Sequence, residues 1–555
     1  MAVSMQAGEA GNSGAFAPLR EPVFRRIWTA SLFSNFGQLI LGVGAAWEMT
    51  RLSDDPSMVA LVQTAMMVPL MLVALPAGAV ADMFDRRKIA LVGLGFSVLS
   101  SVALTAIAFM GLTTPWLLLL FCVLIGAGVA LYNPSWQASI GEQVSSDRLP
   151  AAVALGTISY NVARSFGPAL GGVIVLALGA QAAFGINAAF YIPLWLAFFL
   201  WKREHKPSRL PPERIDRAII SGGRYALHSP PIRTVMFRAF VFSLASASSA
   251  ALAPLVARDL LHGNASTYGI LLGASGVGAV LGALFIGPLR EKVGTEVVVR
   301  FCTVATGIAL AVLGISRSLP LSCAALFVTG GCNIVAYAML NVSVQLSAPR
   351  WVTARALSLY SSSLTGGIAF GAWGWGVVAA RTDTTEALVI SGGAVLATMI
   401  FAWLLPLPRG EESSDMVEIG YEPKDALGLT MRSGPVVIEV EYDVDPERAR
   451  DFYAVMLEMS RVRKRIGGFD WSLARDINNP AIWIERYHCP TWGDYLRMRD
   501  RYTQIEFDVQ AEADSFNRSG EGRRVRRRLE RPYGSVRWKA ETPDPFRGTV
   551  PIFNP

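Results

Sequence analysis

The chain has 555 residues, 52% hydrophobic and 17% charged, with a mean hydropathy of +0.39. So apolar a composition excludes an ordinary soluble protein, and its continuous rather than alternating apolar runs select membrane-spanning helices over a closed barrel. A net charge of +7 and a pI near 9.2 would suggest nucleic acid in a soluble chain; here cationic loops and a tail facing an anionic leaflet account for the charge, and no nucleic-acid partner is expected.

In chain order, residues 1–19 are small and polar and read as a disordered N-terminus. They lack a basic start followed by an apolar stretch, so the first span is itself the insertion signal. Spans are predicted at 26–50, 58–81, 88–111, 115–137, 149–178 and 182–201, and again at 233–257, 267–289, 296–316, 320–345, 353–380 and 386–405. That is an all-α membrane protein of twelve helices in two six-helix halves, 20–201 and 232–405. The basic linker between them, 202–231, holds Lys202, Arg203, Lys206, Arg209, Arg214 and Arg217, and the spacing of Ile215, Ala218, Ile219 and Gly222 predicts a short surface helix. Lys and Arg are concentrated in the loops after even-numbered spans, which puts both termini in the cytoplasm.

Between the second and third spans, Gly78, Asp82, Asp85, Arg86, Arg87 and Lys88 compress charge into a short turn that can reach both helix ends and a neighbouring helix. It reads as a conformational latch or as an orientation-fixing anchor. A degraded copy follows 209 residues later, aligning Gly287 with Gly78 and Glu291 with Asp82; Asn133 to Gln137 corresponds, 208 residues on, to Asn341 to Gln345. A near-constant offset argues for duplicated six-helix units, which place a substrate site at their interface. In the fifth span Gly167, Pro168, Gly171 and Gly172 allow close helix approach and a bend, which ordinary helix packing also uses. These motifs, with Val43 to Leu52 and Ala74 to Asp82, resemble the major facilitator superfamily and, within it, the transmembrane secretion effector or enterobactin exporter-like branch, over residues 18 to 531. The resemblance implies a multi-pass protein of the bacterial cytoplasmic membrane that exports a small organic molecule such as a siderophore, drug or secondary metabolite. It also implies a proton gradient as energy source, no cofactor, and a latch role for the loop Asp and first Arg.

Ionisable groups inside a membrane are costly and are read first as functional. Arg164 falls near mid-depth and Glu48 in the outer part of the first span; either can serve substrate or proton coupling, they can pair with each other, and Glu48 can equally reach the outer interface. Gln38, Asn133, Gln137, Asn341 and Gln345 are further candidates for the substrate path, or bridge helices. The five cysteines show no metal or disulfide spacing.

After a polar linker, 406–434, residues 435–540 read as a soluble domain and 541–555 as a tail. A strand carrying Ile438, Val440 and Tyr442, a helix from Pro446 presenting Phe452, Val455, Met459, Val462 and Ile466, strands at 469–476 and 481–488, and a helix from Trp492 to Gln504 begin a ferredoxin-like split unit. This cytoplasmic α+β domain resembles dimeric α/β barrels of the antibiotic-biosynthesis monooxygenase type, which implies homodimerisation and opens a second reading, a membrane-tethered oxidoreductase. Tyr495 and Arg499 stand where the secretion-effector branch carries histidines. An apolar sheet face is expected to need a partner, His488 is expected to be structural, and the arginine run 523–531 is read as a patch held near anionic lipid.

Overall fold

The computed structural model describes residues 16–83, 85–145, 148–202, 225, 228–349, 352–408, 427, 429–431, 433–500, 502, 504–519 and 522–530. The side chains of 74–83, 138, 150, 287, 288, 290, 291, 354, 500 and 505 fall outside that description, as do the predicted surface helix at 215–222 and the tail. The chain divides into two units, one comprising Met1–Ile219, Thr234–Ser343 and Leu357–Leu407, the other Ile220–Arg233, Val344–Ala356 and Pro408–Pro555.

The first unit is helical. Its long helices are α1 (Pro22–Leu52), α2 (Pro56–Met83), α3 (Arg86–Phe109), α4 (Pro115–Gln143), α5 (Leu149–Leu178), α6 (Ala180–Leu200), α7 (Pro230–Ser246), α8 (Ala265–Leu284), α9 (Thr295–Ile315), α10 (Leu319–Ser347), α11 (Thr353–Arg381) and α12 (Thr384–Ala397). Among the described residues, ten helical stretches are long and apolar enough to cross a membrane; α1 and α11 are equally long but more polar. Polar side chains set the starts: Thr114 caps α4, Asn264 forms a capping box at α8, and Asp383 accepts the Glu386 amide at 2.6 Å. Gly179, at φ +83, makes the one-residue turn between α5 and α6 that a side chain would strain. Leu99, Trp116 and Trp403 are 70–76% exposed, an arrangement that suits lipid and not water.

Several predicted elements differ. The span at 233–257 is not one α-helix: after Ser246 it continues as Ser248–Ala251, Ala253–Leu255 and a π-helical turn, Val256–Leu260, with Pro254 withholding a backbone donor. The charged turn at 78–88 is shorter than read, since α2 runs through Met83 and α3 begins at Arg86. Its repeat partner is no loop either: residues Ile286–Val293 form a short helix.

In the second unit, β1 (Val436–Asp443), α13 (Ala449–Ile466), β2 (Phe469–Arg475), β3 (Ile482–Cys489), α14 (Trp492–Asp500), α15 (Gln504–Ser515) and β4 (Arg524–Leu529) build a four-stranded antiparallel sheet, order β2-β3-β1-β4. Ile438, Val440 and Tyr442 meet Phe452, Met456, Met459, Val462 and Ile466 of α13 in one core. The predicted helix to Gln504 ends at Asp500, and a separate helix, α15, follows. The arginine run is not a loose patch but strand β4, whose Arg526 and Arg528 lie 3.4 and 2.6 Å from Glu441 and Glu439 of β1. Like-charge repulsion within the run is offset by the facing glutamates, and charge on an edge strand discourages further pairing. Nor is the second sheet face apolar: Trp483 and Tyr487 pair opposite Tyr442 and Ile438 and so share the helix-covered face, leaving Val437 among Glu439, Glu441, Arg486, Arg526 and Arg528 on the other.

Candidate functional site

The turn before α3 is built as a hub. Asp85 caps α3 by accepting the Arg87 amide at 2.9 Å. Arg86 Nη1 lies 3.0 Å from Glu142 Oε1 at the end of α4. Arg87 donates from Nε to the Phe198 carbonyl at 3.0 Å and from Nη2 to the Phe199 carbonyl at 2.5 Å, taking up carbonyls that the end of α6 leaves without intrahelical partners. Three helix ends are thereby tied to one turn. The side chains of Gly78, Asp82, Gly287 and Glu291 lie outside the described residues.

The second half repeats the device with different residues. Arg300 on α9 donates to the Ala402 carbonyl at 2.8 Å and to Glu296 at 2.9 Å. Arg238 on α7, only 7% exposed, donates to Glu296 at 2.7 Å and to the Leu405 carbonyl at 3.3 Å, and Glu296 also accepts the Leu407 amide at 2.9 Å. Sequence reading missed Glu142, Arg238, Glu296 and Arg300, although each is a charge at the edge of an apolar run.

The two halves touch along α5 against α8 and α2 against α11. A Cβ placed on Gly172 would come 2.8 Å from the Gly269 Cα, so these glycines let the helix backbones meet. Ser165 Oγ donates to the Gly276 carbonyl at 3.3 Å, and Thr64 Oγ1 to the Ala369 carbonyl at 2.9 Å. Where α1 ends and α2 begins, Arg258 donates to the Thr50 carbonyl at 3.1 Å and approaches Asp54 at 3.9 Å, and the Trp47 and Tyr268 rings stack 6.4 Å apart. These contacts tie the two halves together at this end of the unit. Gly167 and Gly171 pack on α1, at Leu39 and at Ile40 and Val43 respectively.

That packing separates the two charges expected to pair. With Gly167 beside Leu39 and Asn35 bonded to Ser159 at 3.1 Å, Arg164 is level with about residues 35–38, ten or more residues from Glu48 and so roughly 15 Å or more along the axis. Glu48 instead pairs with Arg51, one helical turn on, at 3.1 Å. Arg164 is half-buried, hydrogen-bonds no side chain among the described residues, and acts electrostatically on Tyr337 of α10, across the boundary between the halves. Tyr337, which sequence reading passed over, faces Ser246 Oγ at 3.3 Å, and its carbonyl accepts the Tyr360 hydroxyl at 2.7 Å. Gln38 and Asn133 are half-buried and Gln137 is exposed, all without a side-chain hydrogen bond among the described residues; Asn341 is half-buried and Gln345 exposed, and both have partners. Asn333, Tyr337, Asn341 and Gln345 recur every four residues and so form one polar stripe along α10.

The sheet domain has a polar centre of its own. Arg463, 3% exposed, grips Glu485, fully buried, through two bonds of 2.9 and 3.0 Å; Trp471 Nε1 donates to the same carboxylate at 3.0 Å, Arg463 also donates to Gln510 at 2.8 Å, and Tyr502 completes the shell. Burial pulls the guanidinium pKa down, but the Glu485 charge and hydrogen bonds, with Tyr487 and Tyr442 beside it, together outweigh burial, so Arg463 stays above its ordinary value. Burial also pushes the Cys489 thiol up to about 12. His488 Nε2 stands 3.3 Å from Glu530, at the end of β4. All five cysteines are unpaired, and no group of three or more potential metal ligands occurs among the described residues.

Apolar helices in two halves that meet along glycine-rich pairs and are tied together by arginine define a membrane transporter of the major facilitator architecture. Among solved structures, a POT family transporter in complex with 5-aminolevulinic acid aligns with a TM-score of 0.57 at 12% identity, over 71% of this chain and 98% of that one. A bacterial homolog of the human lysosomal transporter Spinster, inward-facing and occupied, aligns at 0.53 and 16%, over 70% and 95%. At these identities the likeness shows the fold alone. A family model described as transmembrane secretion effector matches residues 13–533, and the chain belongs to that family. Relatives include the enterobactin exporter EntS of Citrobacter koseri, 26% identical over 393 residues, 69% of this chain and 92% of the relative. The EntS of Escherichia coli is 24% identical over 404 residues, 71% and 95%, and the staphyloferrin A transporter of Staphylococcus aureus 23% over 293 residues, 51% and 72%. The protein is therefore a multi-pass membrane transporter of an exporter-rich family, and not an enzyme.

Proposed function

We propose that this protein exports a small organic molecule, of the siderophore or secondary-metabolite kind, across a bacterial cytoplasmic membrane, driven by inward proton movement. It does so through twelve spans with both termini inside. The observation that carries the reading is Arg164: a half-buried cation near mid-depth, with no carboxylate partner among the described residues and within electrostatic range of Tyr337 of the other half, suits an acidic group on a substrate held between the halves. Gln38, Asn133, Gln137, Asn341 and Gln345 supply neutral hydrogen-bonding groups along the same path, and Glu48 belongs to the outer closure with Arg51. The named exporters among the relatives support outward transport. Gly78, Asp82, Asp85, Arg86 and Arg87, with Gly287 and Glu291 of the second copy, act as the inner latch; of the α5 motif, Gly167 and Gly171 seat the helix on α1, while Pro168 and Gly172 let the halves close on the outer side.

The sheet order β2-β3-β1-β4 with its intervening helices supports a ferredoxin-like reading of residues 435–540. Pairing with a second copy would engage a charged sheet face, so any dimer is expected to be salt-sensitive. The test of function is metabolite profiling of medium and cells with and without the gene. One or more acidic compounds should leave the medium fraction and build up in cells when the gene is lost; an unchanged profile under conditions of full expression counts against export.

A further inference from the structure

The sheet domain contains a cavity that the transport reading does not use. About 230 Å³ lies between β1 and β4 on one side and α14 and α15 on the other, somewhat below the roughly 300–1,000 Å³ of sites for drug-sized ligands. Its lining is divided. The interior is aromatic and apolar, with Tyr487, Tyr495, Met498 and Tyr502 buried and Val440 beneath them. The rim is basic: Arg499, Arg523 and Arg527 all line it, against one carboxylate among the described residues, Asp514.

The charges of that rim are unequally matched. Arg523 is taken by Asp514 at 2.5 and 2.7 Å, and Arg463 at the floor is held by Glu485. Arg527 is exposed, and it donates from Nε to the Tyr495 hydroxyl at 2.7 Å while lying over that ring; no carboxylate among the described residues lies within ion-pair reach of it. Its outer guanidinium edge therefore stands at the mouth of an aromatic pocket with its fork of donors open to an incoming group. A planar carboxylate matches that fork, and an aromatic body of benzoate size matches the space and the tyrosine lining behind it.

We infer that this cavity is a binding site for a small aromatic carboxylate, taken carboxylate-outward at Arg527 with its ring among Tyr487, Tyr495 and Tyr502. The site is separate from the transport path and from Arg164.

Titration calorimetry of the full chain in detergent, with benzoate as probe, tests it. The wild type should bind benzoate saturably at one site, and the uncharged isostere benzamide at least about tenfold more weakly, as expected for losing a charge-assisted pair. Arg527→Gln, an exposed change, should weaken benzoate about tenfold or more. Ala511→Trp, on an exposed lining position of α15, should abolish binding by filling the space while leaving every charge in place. Arg164→Gln should keep the site, which distinguishes it from binding in the transport path. No saturable benzoate binding by the folded wild type, or affinity unchanged in both Arg527→Gln and Ala511→Trp, or loss in Arg164→Gln alone, would overturn the assignment.

Discussion

The helical unit and the sheet domain place their charges oppositely. In the helical unit the ion pairs engage helix ends, as Arg86 with Glu142, Arg148 with Glu21 at 2.8 Å, and Arg238 with Glu296 in the first turn of α9, and neighbouring helices pack through glycine. In the sheet domain an Arg–Glu pair lies at the centre, Glu485 at 0% exposure, inside an aromatic and thioether core. The difference follows from solvent. A helix in lipid satisfies its own backbone except at its ends, so arginine is most useful where carbonyls are left over. A sheet packed under helices can hold a buried pair provided every lone pair and N–H is met, as Trp471, Gln510 and Tyr502 arrange here.

The largest effect should come from breaking the central pair. Glu485→Ala leaves a buried guanidinium uncompensated and is expected to cost the sheet domain about 3–5 kcal/mol, enough to unfold it in the full chain; limited proteolysis would show the domain released to cleavage while the helical unit stays intact. Next is Gly172→Leu, whose side chain has no room against Gly269; overpacking of this kind costs about 1–3 kcal/mol and should fall on the state closed at that end. Cysteine cross-linking between α5 and α8 should drop, and unchanged cross-linking would mean that the helices slide freely. Arg86→Ala should slow transport about tenfold, about 1.4 kcal/mol on the barrier, with normal membrane abundance, because the tie to α4 is lost; wild-type flux would reduce the turn to an anchor. Smallest is Glu21→Ala: its pair with Arg148 is partly exposed, so a thermal shift worth no more than about 1 kcal/mol is expected.

The spans were legible because apolar runs of twenty-odd residues have few other uses, and the observed helix ends differ from the predicted ones by a few residues, set by caps such as Thr114 and Asp383. What sequence could not supply was depth and register. Glu48 and Arg164 are both charges on odd-numbered helices, and only the packing of Gly167 and Gly171 on α1 sets them apart. Strand β4 was hidden for another reason. Four of its six residues are arginine, and the alternation that marks a strand appears only once Glu439 and Glu441 are known to lie opposite. Arg463 and Glu485 are 22 positions apart and unremarkable until α13 and β3 bring them together.

Outward transport by two halves that exchange closure at their two ends can be measured as uptake into energised everted vesicles. With the acidic compound identified by profiling as substrate, vesicles containing the wild-type chain should accumulate it, a protonophore should abolish the accumulation, and Asp82→Asn vesicles with equal protein should accumulate little. Accumulation that ignores the protonophore and the Asp82→Asn change, or that occurs only in right-side-out vesicles, would contradict the account.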